Sequence, residues 1–225
     1  MSLLVKVCGL STPDTLDAAL DAGADFVGFV FFPPSPRNLA FDAASALGGQ
    51  VRGRAKKVAL TVDADDATFE KIIASLKPDM LQLHGHETPA RVTELRKCHG
   101  LPVMKALPVE TRADLAAIEK YVPVSDWLLF DARPPRDATR PGGLGKSFDW
   151  TLLRGLDVGL PYMLSGGLDA GNVAEAIRVT RAPAVDVSSG VERAPGEKDP
   201  DKIRAFVRAA READRVNAKP LVSNA

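Results

Sequence analysis

The chain has 225 residues, 45% of them apolar, and its 29 lysines and arginines balance 29 aspartates and glutamates. That is enough for two small domains or one large α/β domain with a sizeable core, and it excludes default disorder. Zero net charge lacks the footprint of a general nucleic-acid binder, and two cysteines with three histidines supply neither a disulfide framework nor a metal-site spacing.

The predicted elements begin with a strand at LLVKV (3–7). A helix follows, with Thr12 as cap, Pro13 at its first position and Asp14 at its positive end. Leu16, Ala19 and Leu20 form its apolar stripe, and Gly23 stops it. Strands are expected next at FVGFVF (26–31) and KKVALTV (56–62), then a helix at ATFEKIIASL (67–76). MLQLH (80–84) and PVMKAL (102–107) are strands flanking a helix at TPARVTELRK (88–97). A helix at RADLAAIEKY (112–121) leads to strands at WLLFD (127–131) and PYMLS (161–165). GNVAEAIRVT (171–180) is helical and AVDVS (184–188) is the last strand. Asp199 caps a final helix that starts at Pro200 and turns Ile203, Phe206, Val207 and Ala210 to one face. Residues 216–225 are expected to fray.

Most of these strands are continuously apolar, as in a parallel sheet buried on both faces. Eight of them in 225 residues give about 28 residues per strand–helix unit, the size of a strand, a helix and two short loops. The fold expected is a single-domain (β/α)8 TIM barrel over residues 1–225, compact beside the usual ~250. An open doubly wound sheet is the alternative, but it has fewer strands, and no GxGxxG follows strand 1. No apolar run reaches the ~18 residues of a membrane span. MSLLVKVCGL lacks the features of a secretory signal, so a cytoplasmic protein is expected.

In such a barrel the active site lies at the C-terminal ends of the strands. Glycine-rich turns follow strands 6, 7 and 8, at PGGLG (141–145), SGGL (165–168) and SSG (188–190). Any one of them serves equally as an ordinary turn; three in adjacent late loops point to a phosphate cradle. Cys8 ends strand 1 and is either a buried hydrophobe or a tuned base or nucleophile. Cys98, on a helix away from the rim, is structural. Asp131 ends WLLF, where burial favours the protonated form a general acid needs; a structural ion pair with Arg133 is the alternative. Arg37 sits in a loop stiffened by Pro33, Pro34 and Pro36, so its guanidinium is placed to meet a carboxylate bidentately, unless it is simply solvated.

Taken together, KVCGL (6–10), GADFVGFVFFPPSPR (23–37), LQLHG (81–85), LLFDAR (128–133), PGGLGKSFDW (141–150), LSGGLDAGNV (164–173) and DVSSGVERAPGEKD (186–199) resemble the phosphoribosylanthranilate isomerase family of tryptophan biosynthesis. One departure is Leu144, which stands where the family carries threonine. The resemblance implies an Amadori rearrangement of N-(5-phosphoribosyl)anthranilate to 1-(2-carboxyphenylamino)-1-deoxyribulose 5-phosphate, with Cys8 as general base and Asp131 as general acid. It places Arg37 on the anthranilate carboxylate and Asp186 on the sugar. Gly143, Gly145, Gly167, Ser189 and Gly190 fall at the phosphate, and His84 in a role holding its loop. It implies no metal and no cofactor, a small-molecule substrate as the sole partner, and a monomer or homodimer. Among rivals, imidazole-carboxamide ribotide isomerase puts a carboxylate at the Cys8 position. Indole-glycerol-phosphate synthase needs an early lysine acid that Lys105 supplies only faintly. A non-catalytic phosphosugar-binding barrel would not need both Cys8 and Asp131.

Overall fold

Runs of β-branched and aromatic residues that are apolar on both faces can be satisfied only when both faces are covered, and here they close on themselves. A computed structural model describes residues 2–135, 137–138 and 141–218, with side chains through residue 216. Eight parallel strands form a closed barrel in chain order, β8 pairing back to β1. They are β1 (Leu4–Cys8), β2 (Phe26–Phe31), β3 (Lys56–Thr61), β4 (Met80–Leu83), β5 (Val103–Val109), β6 (Trp127–Ala132), β7 (Tyr162–Leu164) and β8 (Ala184–Val187). The helices are α1 (Pro13–Asp21), α2 (Phe41–Val51), α3 (Asp66–Leu76), α4 (Pro89–His99), α5 (Ile118–Tyr121), α6 (Val173–Thr180) and α7 (Pro200–Ala218). A short antiparallel hairpin, β9 (Glu192–Ala194) with β10 (Glu197–Lys198), stands between β8 and α7.

The local signals explain the helix starts. Thr12 accepts from the Thr15 N–H and Thr88 from the Arg91 N–H, each just before a proline that opens its helix. Gly100 ends α4 in the left-handed conformation. Several features depart from the sequence expectation. Helix α2 was not anticipated; its interior carries Gly48 and Gly49 and no side chain caps it. Gly48 is there for packing, since a Cβ would lie 2.9 Å from the Leu76 carbonyl oxygen at the end of α3. No α-helix follows β6 among the described residues, only a single 3₁₀ turn at Trp150–Leu153, so the strand–helix alternation is interrupted there. The helix expected over 112–121 is 3₁₀ for its first part, Arg112–Ala117. Helix α7 takes in residues 216–218 of the segment expected to fray, and 219–225 lie outside the described residues.

Two apolar layers hold the barrel. The outer one joins the strands to the helices through Phe29, Leu83, Phe130, Ile203 and Phe206. The inner one plugs the barrel with Phe26, Val58, Met80, Met104, Leu129, Met163 and Ala184. Side chains alternate along a strand, so two residues further on, the same inward face carries Gly28, Leu60, Gln82, Asp131, Ser165 and Asp186. The interior thus turns from apolar to polar toward the C-terminal mouth. No helix of the described residues is long and apolar enough to cross a membrane.

Candidate active site

The polar mouth opens into a concave cavity at the C-terminal ends of the strands, the usual place of a small-molecule site in such a barrel. Cys8, Arg37, Asp131, Gly143, Gly145, Gly167, Asp186 and Ser189 all line it. Residues read from six separate stretches of sequence therefore converge on one space.

Cys8 enters from β1 and is buried. Its neighbour on β2 is Gly28, where a Cβ would come within 2.9 Å of the thiol sulfur; glycine makes the room the thiol occupies. One inward step down β1 lies Lys6, fully buried and paired at 2.8 Å with Asp186, its register partner on β8. Burial opposes the Lys6 charge, but Asp186 and Cys8 outweigh it and hold the ammonium above the usual lysine range. At Cys8 itself burial pushes the thiol up; Lys6 pulls it down, Asp186 adds to the rise, and the net direction is upward.

Asp131, one residue before the end of β6, has both oxygens engaged. Oδ1 accepts from the Ala132 N–H at 2.9 Å, and Oδ2 lies 3.2 Å from His84 Nε2. His84 Nδ1 faces the Gln82 side-chain amide nitrogen at 3.0 Å. With that nitrogen donating, Nδ1 is the acceptor and Nε2 carries the hydrogen, so neutral His84 donates to Asp131; the tautomer is assigned from this pattern. Arg133 is drawn instead to Asp114 and Glu110, so it is not the partner of Asp131.

Arg37 corrects the expectation most sharply. It is neither solvated nor holding out both prongs of its fork. It is 4% exposed, and Nε and Nη2 make a bidentate pair with Glu192 at 2.6 and 2.7 Å. Nη2 also donates to the Gly143 carbonyl. Nη1 is the donor left without a hydrogen-bond partner among the described residues. Its stem rests on the turn after Cys8: a Cβ on Gly9, whose φ is +79°, would lie 2.6 Å from Arg37 Cδ.

The glycine loops divide by task. Gly143, Gly145, Gly166 and Gly167 all have positive φ, between 65° and 88°. A Cβ on Gly167 would sit 2.7 Å from the backbone of Lys146 and Ser147, so this glycine lets the β6 and β7 loops lie backbone to backbone. The N–H groups of Gly166 and Gly167 carry no hydrogen bond among the described residues. Gly190 is outside the lining; it packs the β8 loop on Leu168, whose carbonyl oxygen would be 1.9 Å from an added Cβ. Asp186 reaches the cavity with its oxygens already on Lys6 and Ser165.

Sequence reasoning missed Lys6, Gln82, Glu192 and Lys198. A lysine inside LLVKV and a glutamine inside MLQLH were available signals: polar groups within apolar strands fall on the inward face or pair. Glu192 and Lys198 gave no such signal, because the hairpin carrying them was not read as an element.

A closed (β/α)8 barrel whose mouth gathers a thiol, a carboxyl, a buried arginine and glycine-rich late loops is a barrel enzyme with its site on the C-terminal rim. The family model of N-(5'-phosphoribosyl)anthranilate isomerase matches residues 5–209. Curated relatives of that name include one from Bradyrhizobium sp. strain ORS 278, 64% identical over 97% of this chain and 100% of its own. Another, from Bradyrhizobium diazoefficiens, is 66% identical over 94% and 95%. Among solved structures, phosphoribosylanthranilate isomerase from Thermotoga maritima superposes with a TM-score of 0.84 at 32% identity, covering 93% of this chain and 99% of that one. A phosphoribosylanthranilate isomerase in complex with reduced 1-(o-carboxyphenylamino)-1-deoxyribulose 5-phosphate matches with a TM-score of 0.79 at 29% identity, over 93% and 99% of the two chains. The chain belongs to the phosphoribosylanthranilate isomerase family.

Proposed function

We propose that this chain carries out the family's isomerisation through a proton-transfer pair, Cys8 as base and Asp131 as acid. The reaction is the Amadori rearrangement of N-(5-phosphoribosyl)anthranilate to 1-(2-carboxyphenylamino)-1-deoxyribulose 5-phosphate, a step of tryptophan biosynthesis. The observation that carries the assignment is that β1 and β6 deliver a thiol and a carboxyl into one cavity.

Asp131 gives its proton to the ribose ring oxygen; the C–O bond breaks and the anthranilate nitrogen lone pair forms the C=N bond of an iminium. Cys8, as thiolate, takes the proton on the second ribose carbon. The electrons of that C–H bond neutralise the iminium and leave an enolamine, which tautomerises to the ketone. The iminium is itself the electron sink. His84 steadies Asp131 through Oδ2. Gly143, Gly145, Gly167 and Ser189 shape the phosphate end, with Gly190 supporting the Ser189 turn from behind. Asp186 meets the sugar hydroxyls, and Arg37 meets the anthranilate carboxylate through Nη1. The chain acts as a single domain, in the cytoplasm, on a small-molecule substrate, as a monomer or homodimer; a dimeric form is named for the Thermotoga maritima relative.

Fresh phosphoribosylanthranilate tests the reading. Its fluorescence is expected to fall on addition of the protein, with a product of unchanged mass that the next pathway enzyme accepts. Unchanged substrate, from protein that binds the product analogue, would leave a binding barrel and no catalyst.

A further inference from the structure

We infer that Glu192, on the β9–β10 hairpin, is a positioning residue that presents Arg37 to the substrate carboxylate. The inference rests on the Arg37 assignment above and concerns what gives that arginine its direction.

Arg37 and Glu192 form a two-pronged pair with both side chains at most 5% exposed. The Glu192 Oε1 that accepts from Arg37 Nε also accepts from the buried Lys198, at 2.7 Å. Lys198 is itself anchored, donating to the Ser188 carbonyl at 2.9 Å. The backbone carries a second, independent contact between the same two segments. Gly196, at the tip of the hairpin with φ +86°, lies where a Cβ would be 2.6 Å from the Pro36 carbonyl oxygen. The hairpin therefore grips the proline loop at adjacent residues, once through backbone and once through the charged fork.

A lone buried arginine would be free to swing among rotamers, and its charge would need water. Glu192 removes both problems on the Nε–Nη2 edge and leaves Nη1 for a ligand. The opposite outcome is conceivable: Glu192 competes with the substrate for the same cation. Charge decides against it. Burial already lowers Lys198 to about 8 despite the Glu192 carboxylate. Without that carboxylate, burial pushes the Lys198 ammonium further toward its neutral form, so the lost negative charge is met by a loss of positive charge beside it. Removing Glu192 thus costs Arg37 its orientation without adding attraction.

The test is a double-mutant cycle of Arg37→Ala and Glu192→Gln. It is read as affinity for a reduced product analogue and for its anilino counterpart lacking the ring carboxylate. Glu192→Gln is expected to weaken the carboxylate-bearing analogue roughly 10- to 100-fold and the counterpart less than about twofold. Added to Arg37→Ala, it is expected to change the carboxylate-bearing analogue by less than about twofold further, because Glu192 acts through Arg37. Glu192→Asp, which keeps the charge but retracts it by one methylene, should show a smaller loss with the same preference and serves if the glutamine variant folds poorly. Equal losses for both analogues, multiplicative losses in the double variant, or tighter binding by Glu192→Gln would each overturn the inference. Failure of Arg37→Ala to separate the two analogues would overturn the Arg37 assignment, and the inference with it.

Discussion

In the role of base proposed for it, Cys8 works against its surroundings. A base must shed its proton, yet burial holds the thiol up, and the Lys6 and Lys198 charges offset that only in part. Activity then depends on the fraction of thiolate, which grows as pH rises through the elevated pKa. The rising limb of kcat/KM is therefore expected above the ordinary thiol range of ~8.5. A limb near 6 to 7, unmoved by Cys8→Ser, would assign the base to another group. Removing either partner should show the usual scale of acid–base catalysis. Cys8→Ala and Asp131→Asn are each expected to lower kcat by ~10²–10⁴-fold. Affinity for the product analogue should change far less. Near-normal turnover in folded Cys8→Ala protein would take the thiol out of the mechanism.

At the scale of elements, the late loops hold each other as well as shaping the proposed phosphate end. Gly167 touches the Lys146–Ser147 backbone with no room for a Cβ, and its φ of +65° strains any β-branched residue. Gly167→Val is expected to push the β6 loop away and weaken a phosphate-bearing analogue by tenfold or more, roughly 1.4 kcal/mol. A bound sulfate or phosphate should lie beside Gly143, Gly167 and Ser189; an anion found consistently at the other end of the barrel would contradict this. The place of Gly143, Gly145 and Gly167 on the cavity wall was legible because glycine-rich turns after strands 6 and 7 fall on the rim of such a barrel. Helix α2 was not legible. Its Gly48 looks like a helix breaker in sequence and becomes intelligible only against the Leu76 carbonyl. The Arg37–Glu192 pair was hidden for a related reason: 155 residues separate its members, and no spacing rule spans such a gap.

For the whole molecule, the strand pattern was enough to reach the closed barrel. Eight apolar runs of similar spacing leave little else to build, and most predicted strands fall within two residues of the observed ones. What the pattern could not show is the closing contact, Lys6 to Asp186, where the first and last strands meet. This pair is buried, Lys6 fully and Asp186 to within 5% of it, so truncating one side strands a charge. Lys6→Met is expected to cost roughly 3–5 kcal/mol, far above the 0–1 of an exposed pair such as Arg178–Glu175. The urea midpoint measures it. A loss below about 1 kcal/mol would mean that water reaches Asp186 at the seam.

That seam also sets an order in time. Lys6 and Asp186 are 180 residues apart in the chain, so their meeting closes a loop that spans most of the fold. Local hairpins and strand–helix units can form while the ends are still apart. The cavity cannot, because its thiol lies on one side of the seam and Asp186 on the other. A refolding chain therefore regains helical signal before it regains turnover, and catalysis serves as a clock for the final closure.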